Sequence, residues 1–219
     1  FNFALDTVIE DDRERKAALT PKQEESLLAF MEQDAVYKKY RDEVIILLGT
    51  GLRISEFCGL TTALDFKNRQ INVDHQLLRD ADIGYYIETP KTKNGIRQIP
   101  MTEEVCQALK RVLKNRSNAV PFSVEGYKNF LVLKNDGMPK VSANYESMLK
   151  GLVKKYNKQN KEQLPNITPH ILRHTFCTRL ANAGMNPKAL QYIMGHANIT
   201  MTLNYYAHAT YDSAKAEME

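Results

Sequence analysis

TPHILRHTFCTRLANAGMNPKALQYIMGHANITMTLNYYAH, from Thr168 to His208, is the stretch on which the reading of this chain turns. It holds two arginines, four of the five histidines of the chain and a tyrosine pair. They lie on segments with the punctuation of buried helices. Thr168-Pro169 opens one and Gly184 stops it; Asn186-Pro187 opens the next, which ends near Met194-Gly195. A further helix is expected from about Thr200, carrying Tyr205 and Tyr206. Imidazole and guanidinium groups are costly to bury without partners. A row of them points to a polyanion or a reactive centre.

The 219 residues suffice for one large domain with a sizeable core, and a 43% apolar, 26% charged composition is an ordinary globular balance. The longest apolar run, Val44 to Leu48, is far too short for a membrane span, so no membrane partner is expected. A formal charge of +4 is only a weak pointer to nucleic acid. Cys58, Cys106 and Cys177 are odd in number and widely spaced, which suits reduced, buried thiols of a cytoplasmic protein rather than a zinc site.

Upstream, residues 1–19 are polar and read as a linker. Thr20-Pro21-Lys22-Gln23 has the form of a capping box with proline in the first turn. A second helix is expected from Val36 to Leu48, closed by Gly49-Thr50-Gly51, with a short helix starting at Arg53. From Ala63 to Pro100 the period becomes that of strands. Arg69–Asp74, Tyr85–Glu88 and Ile96–Ile99, with Asn94-Gly95 as a turn signal, predict a small three-stranded antiparallel sheet whose tip carries Lys91 and Lys93. Thr102 caps a helix to about Lys114, and further helices are expected over Val124–Leu133 and Val141–Lys158. The fold class is α+β, mainly helical.

Each polar residue has an ordinary reading. Arginine after a glycine turn is commonly a surface residue, hairpin lysines aid solubility, and Tyr205-Tyr206 could be core. His170 and His174 have the spacing of a zinc pair, but Arg173 beside them would repel a cation and the glutamate of H-E-x-x-H is absent. Together, however, two arginines, the histidines, a lysine and a tyrosine suit phosphoryl transfer without a metal. Guanidinium forks bind non-bridging phosphate oxygens bidentately, and imidazole donors add to that clamp. A tyrosine can serve as nucleophile and a lysine as general acid.

Thr50-Gly51-Leu52-Arg53-Ile54-Ser55-Glu56, His170-x-x-Arg173-His174-Thr175, Met194-Gly195-His196 and Tyr206-x-His208 resemble, in order and spacing, the motifs of tyrosine recombinases. The likeness covers about residues 20 to 210, and Tyr86-Ile87-Glu88-Thr89-Pro90-Lys91-Thr92 brings it nearest to integrases of phages and conjugative transposons. The resemblance implies that Arg53 and Arg173 bind the scissile phosphate, with His170 and His196 assisting. Lys91 would be the general acid, with Lys93 as rival, and Tyr206 would form a 3′-phosphotyrosyl bond. It also implies no cofactor, a homo-tetramer on double-stranded attachment-site DNA, a Holliday junction and accessory DNA-bending or excision proteins. The setting would be a mobile element in a bacterial cytoplasm. Residues 20–210 would be the catalytic domain, 211–219 a tail exchanged between protomers, and the linker would follow N-terminal DNA-binding domains. Lys91, Lys93 and Arg97 are expected at the duplex backbone. A type IB topoisomerase and a binding-only relative are the competing readings.

Overall fold

The structure, a computed structural model, describes residues 18–90, 95–116 and 120–206. Helix α1 (Pro21–Gln33) starts where the capping box predicts. Thr20 Oγ1 accepts from the Gln23 amide at 3.2 Å, and Gln23 Oε1 accepts from the Thr20 amide at 3.0 Å. The next helix begins later than Val36. Asp34 Oδ1 accepts from the amides of Val36 and Tyr37, turning the chain, and a 3-10 turn (Lys38–Tyr40) leads into α2 (Arg41–Thr50). Every residue from Glu43 to Leu48 is buried, so α2 is the central helix, packed by α4 (Glu103–Lys114) and α6 (Pro169–Asn182). Gly51 ends α2 with φ 63°, and α3 (Ile54–Gly59) follows.

The expected three-stranded sheet is replaced by two-stranded antiparallel pairs. β1 (Gln70–Val73) pairs with β4 (Arg97–Pro100), setting Ile71 opposite Ile99. β2 (Gln76–Asp80) pairs with β3 (Gly84–Glu88), setting Leu77 opposite Ile87. The turn that makes this second pair is local: Asp80 Oδ1 accepts from the Asp82 amide at 2.8 Å, and Gly84 has φ 80°. β3 therefore spends its ladder on β2, and β4 reaches back to β1. β3 and β4 are not paired with each other, and Lys91, Lys93 and Asn94 lie outside the described residues.

The segment expected to be helical over Val124–Leu133 is instead a tight hairpin, β5 (Ser123–Val124) and β6 (Tyr127–Lys128), followed by a buried loop. Glu125 and Gly126 both have positive φ, the signature of a two-residue hairpin turn. α5 (Ser142–Gln159), α6, α7 (Pro187–Met194) and α8 (Ile199–Leu203) complete the fold. Thr168, Asn186 and Asn198 each cap the helix they precede. Tyr205 and Tyr206 sit in a turn just past α8 rather than on it. The main core joins α1–α6 and the strands. A smaller cluster of Phe176, Cys177, Ala181, Leu190 and Met194 packs α6 on α7, with both tyrosines against it. The three cysteines are buried and unpaired. Among the described residues no helix is long and apolar enough to cross a membrane.

Candidate active site

Three elements meet at one place: the α2–α3 turn, the first half of α6 and the C-terminus of α7. Arginines fasten them together. Arg53 stands at the N-cap of α3 and donates Nη2–H to the Gly195 carbonyl at 3.0 Å. Arg173, on α6, donates to the carbonyls of Gly51 and Met194, each at 2.5 Å. Gly51 permits this closeness, since a Cβ there would stand 2.3 Å from Phe176 Cδ1 and its φ is left-handed. Arg173 is buried, whereas the Arg53 side chain is 38% exposed, so Arg53 offers its free donors outward.

Beneath them lies Glu56, a residue to which the sequence reading gives no role. Its Oε1 accepts from Arg53 Nη1 at 2.7 Å, and its Oε2 accepts from the Arg53 amide at 2.8 Å. The same two oxygens accept from Arg97 Nη1 and Nη2, both at 2.9 Å. Burial alone would raise the Glu56 carboxyl. The hydrogen bonds and charge of Arg97, with Arg53 and Arg173 beyond, outweigh it and hold the group at about 2. Arg173 moves the other way: burial and the charge of Arg53 bring it down to about 10, still a cation at neutral pH. Two guanidinium groups thus hydrogen-bond one carboxylate and a third, Arg173, acts on it through its charge, so the surplus positive charge is fixed in place. Arg97 was expected at a duplex backbone. Its side chain is 0% exposed, because Glu56 and backbone carbonyls consume its donors, so it lies under the site and not on it.

His196 follows the left-handed Gly195 at the end of α7. Burial and the charges of Arg173, Arg53 and Arg97 push it down to about 4, so the ring is neutral at physiological pH. Its Nδ1 lies 2.9 Å from Oγ1 of the fully buried Thr202. With that hydroxyl donating, the ring proton sits on Nε2 and can be given to a ligand. Sequence reasoning missed Thr202; its six-residue spacing from His196 across a helix start is the only signal. His170 is exposed on the first turn of α6, three residues from Arg173 and so on the same face. His174, one turn on, is lowered by burial and by His170.

The tyrosines divide. The Tyr205 ring lies 5.0 Å from His174 and stacks 6.3 Å from His196, and burial outweighs Arg173 in raising its hydroxyl. Tyr206 is not brought to the arginines. Its hydroxyl donates to the Met185 carbonyl in the α6–α7 turn, and burial with Cys177 raises it. A cavity of about 740 Å³ between Tyr37, Glu43, Arg116 and Lys140 is lined by none of these residues. Arg53, with its side chain 38% exposed, and the exposed His170 open the site to solvent.

Fixed surplus cations, a neutral imidazole and a nearby phenol form an arrangement whose chemistry suits an anion such as a phosphate ester. The chain belongs to the phage integrase family, whose model matches residues 17–213. It is 65% identical over 220 residues to the transposase from transposon Tn916 of Enterococcus faecalis, covering 100% of this chain and 54% of that protein. It is 31% identical over 202 residues to the tyrosine recombinase XerA of Pyrococcus horikoshii, covering 89% and 62%. Among solved structures, the Tn1549 transposon integrase in complex with circular intermediate DNA superposes with a TM-score of 0.91 at 64% identity, covering 99% of this chain and 71% of that one. The chain spans about half the length of the Tn916 transposase.

Proposed function

We propose that residues 20–210 are the catalytic domain of a site-specific DNA recombinase that integrates and excises a mobile element. The observation that carries this is the excess of three arginines over one carboxylate, with Arg53 open to solvent. Arg53 and Arg173 hold the scissile phosphate, and His170 and His196 hydrogen-bond its non-bridging oxygens. Negative charge growing on those oxygens meets donors already oriented, which is where such sites gain most of their rate. Tyr206 Oη attacks phosphorus, a 3′-phosphotyrosyl bond forms and the bond to the 5′-oxygen breaks. Lys91 gives that oxygen its proton, with Lys93 as the alternative donor. A 5′-hydroxyl from a second duplex reverses the step. The phosphotyrosine conserves the bond energy, so the exchange needs neither nucleotide nor cofactor.

The relatives support this reading. The Tn1549 integrase has been solved with circular intermediate and transposon right-end DNA, in variants that replace one arginine by lysine and one tyrosine by phenylalanine. Those two positions are separated, to within a single residue, as Arg53 and Tyr206 are here. Four protomers exchange strands through a Holliday junction, with accessory DNA-bending proteins setting direction, in the cytoplasm of a bacterium. The test is a nicked duplex carrying the Tn1549 circular-intermediate sequence, incubated in EDTA and resolved under denaturing conditions. A covalent band is expected from the native chain and from Tyr205→Phe, and none from Tyr206→Phe. An adduct that survives Tyr206→Phe overturns the assignment of the nucleophile.

A further inference from the structure

Arg97 has no counterpart among the roles given above. Its guanidinium is sealed from solvent and uses four of its five donors. Two go to the carboxylate of Glu56, which itself grips both the amide and the guanidinium of Arg53. A third, from Nε, goes to the Ile193 carbonyl at 2.6 Å, in the last turn of the helix that presents His196. The fourth goes to the Gly95 carbonyl at 3.2 Å, the residue that closes the segment bearing Lys91 and Lys93. Gly195 lies directly on the guanidinium: a Cβ there would be 2.9 Å from Nη1 and 3.0 Å from Cζ.

We infer that Arg97 is a positioning residue, a single buried fork that sets Arg53, His196 and Gly95 in register around the scissile phosphate. This rests on the recombinase reading above. Lysine cannot replace it fully, because a point charge cannot serve the carboxylate and two carbonyls in different directions at once. The role differs in kind from a DNA contact, which would leave the residue exposed and give it a phosphate to neutralise.

The test compares Arg97→Met and Arg97→Lys with the native chain on the same nicked duplex, with rates taken per folded molecule. Arg97→Met is expected to slow adduct formation about 100-fold, the size of effect that small misplacements of reacting groups produce. Its DNA affinity should keep the native dependence on salt, whereas losing a phosphate contact would lower the slope of log K against log salt by about 0.9. The pH profile supplies a readout that mere loss of folding would not move. The charged groups facing Glu56 are Arg53 from its own turn, Arg97 from β4 and Arg173 from α6. Without Arg97, burial favours the protonated carboxyl, so the acid limb of cleavage moves to higher pH. Arg97→Lys should return the limb toward its native position while restoring only part of the rate. A lowered salt slope, or a profile of unchanged position with rates that track the folded fraction alone, overturns the inference. If the native chain forms no adduct, the recombinase reading fails instead, and the salt slope still decides whether Arg97 touches DNA.

Discussion

Two buried carboxylates, Glu43 near the start of α2 and Glu56 just past its end, show how the same kind of group serves different ends. Glu43 accepts from Lys140 Nζ at 2.6 and 2.8 Å and from Tyr145 Oη at 2.7 Å. One anion meets one cation, the phenol completes the shell, and Lys140 lies over the Tyr40 ring at 4.6 Å. The cluster is closed and balanced, and its place is to bind α2 to α5 and the loop before it. Glu56 meets three guanidinium groups, and one of them faces solvent. That cluster carries positive charge in excess, as the proposed binding of a phosphate requires. Charge balance, not burial, distinguishes the two clusters.

The comparison breaks most sharply at Arg53. Arg53→Ala should cut adduct formation by about 10³-fold, roughly 4 kcal/mol of transition-state stabilisation. It should leave the melting temperature nearly unchanged, because a partly exposed arginine is removed from a cluster with cations to spare. Lys140→Met should do the reverse. It strands a buried carboxylate and is expected to cost about 3–5 kcal/mol in urea unfolding, with cleavage per folded molecule unaltered.

A third test uses acid. Glu56 is held below its ordinary value, so it contributes stability above about pH 4.5 that is lost as pH falls toward 2. The loss should amount to about 3 kcal/mol, measured by unfolding at a series of pH values, and Glu56→Gln should flatten the curve in that window. His196 adds its own acid loss. Its depressed value means that the folded state resists protonation, so stability falls as pH drops from 6.5 through about 4. The smallest effect is expected from Thr202→Val. Cleavage should fall about tenfold, the worth of one hydrogen bond, and nitrogen NMR of His196 should show the Nδ1–H tautomer appearing. A His196 ring that keeps one tautomer in that variant removes Thr202 from the site.

Much of this was legible in the chain because local chemistry set it. Thr20, Thr102, Thr168 and Asn186 cap the helices they were read to cap, and Arg53, Arg173 and His196 follow turns whose glycines and prolines mark them. β2 was hidden because Leu77-Leu78 breaks the alternation of a strand, and its hairpin with β3 then redirected β4. β5 and β6 were hidden because a two-residue turn at Glu125-Gly126 lacks the usual asparagine. Arg97 read as a surface cation because nothing nearby in sequence announces Glu56, 41 residues earlier, as its partner. The docking of Tyr206 depends on a backbone carbonyl 21 residues away, which no side-chain pattern encodes.

That hydroxyl gives the resting protein an internal competitor. If Tyr206 is the nucleophile proposed above, its hydrogen bond to the Met185 carbonyl must break before its oxygen can reach phosphorus. DNA binding can favour attack only by the free energy with which it prefers the undocked form. On that reading the cleavage rate is the product of a chemical step and an occupancy, and a change in the turn between α6 and α7 should alter it without touching any group that meets the phosphate.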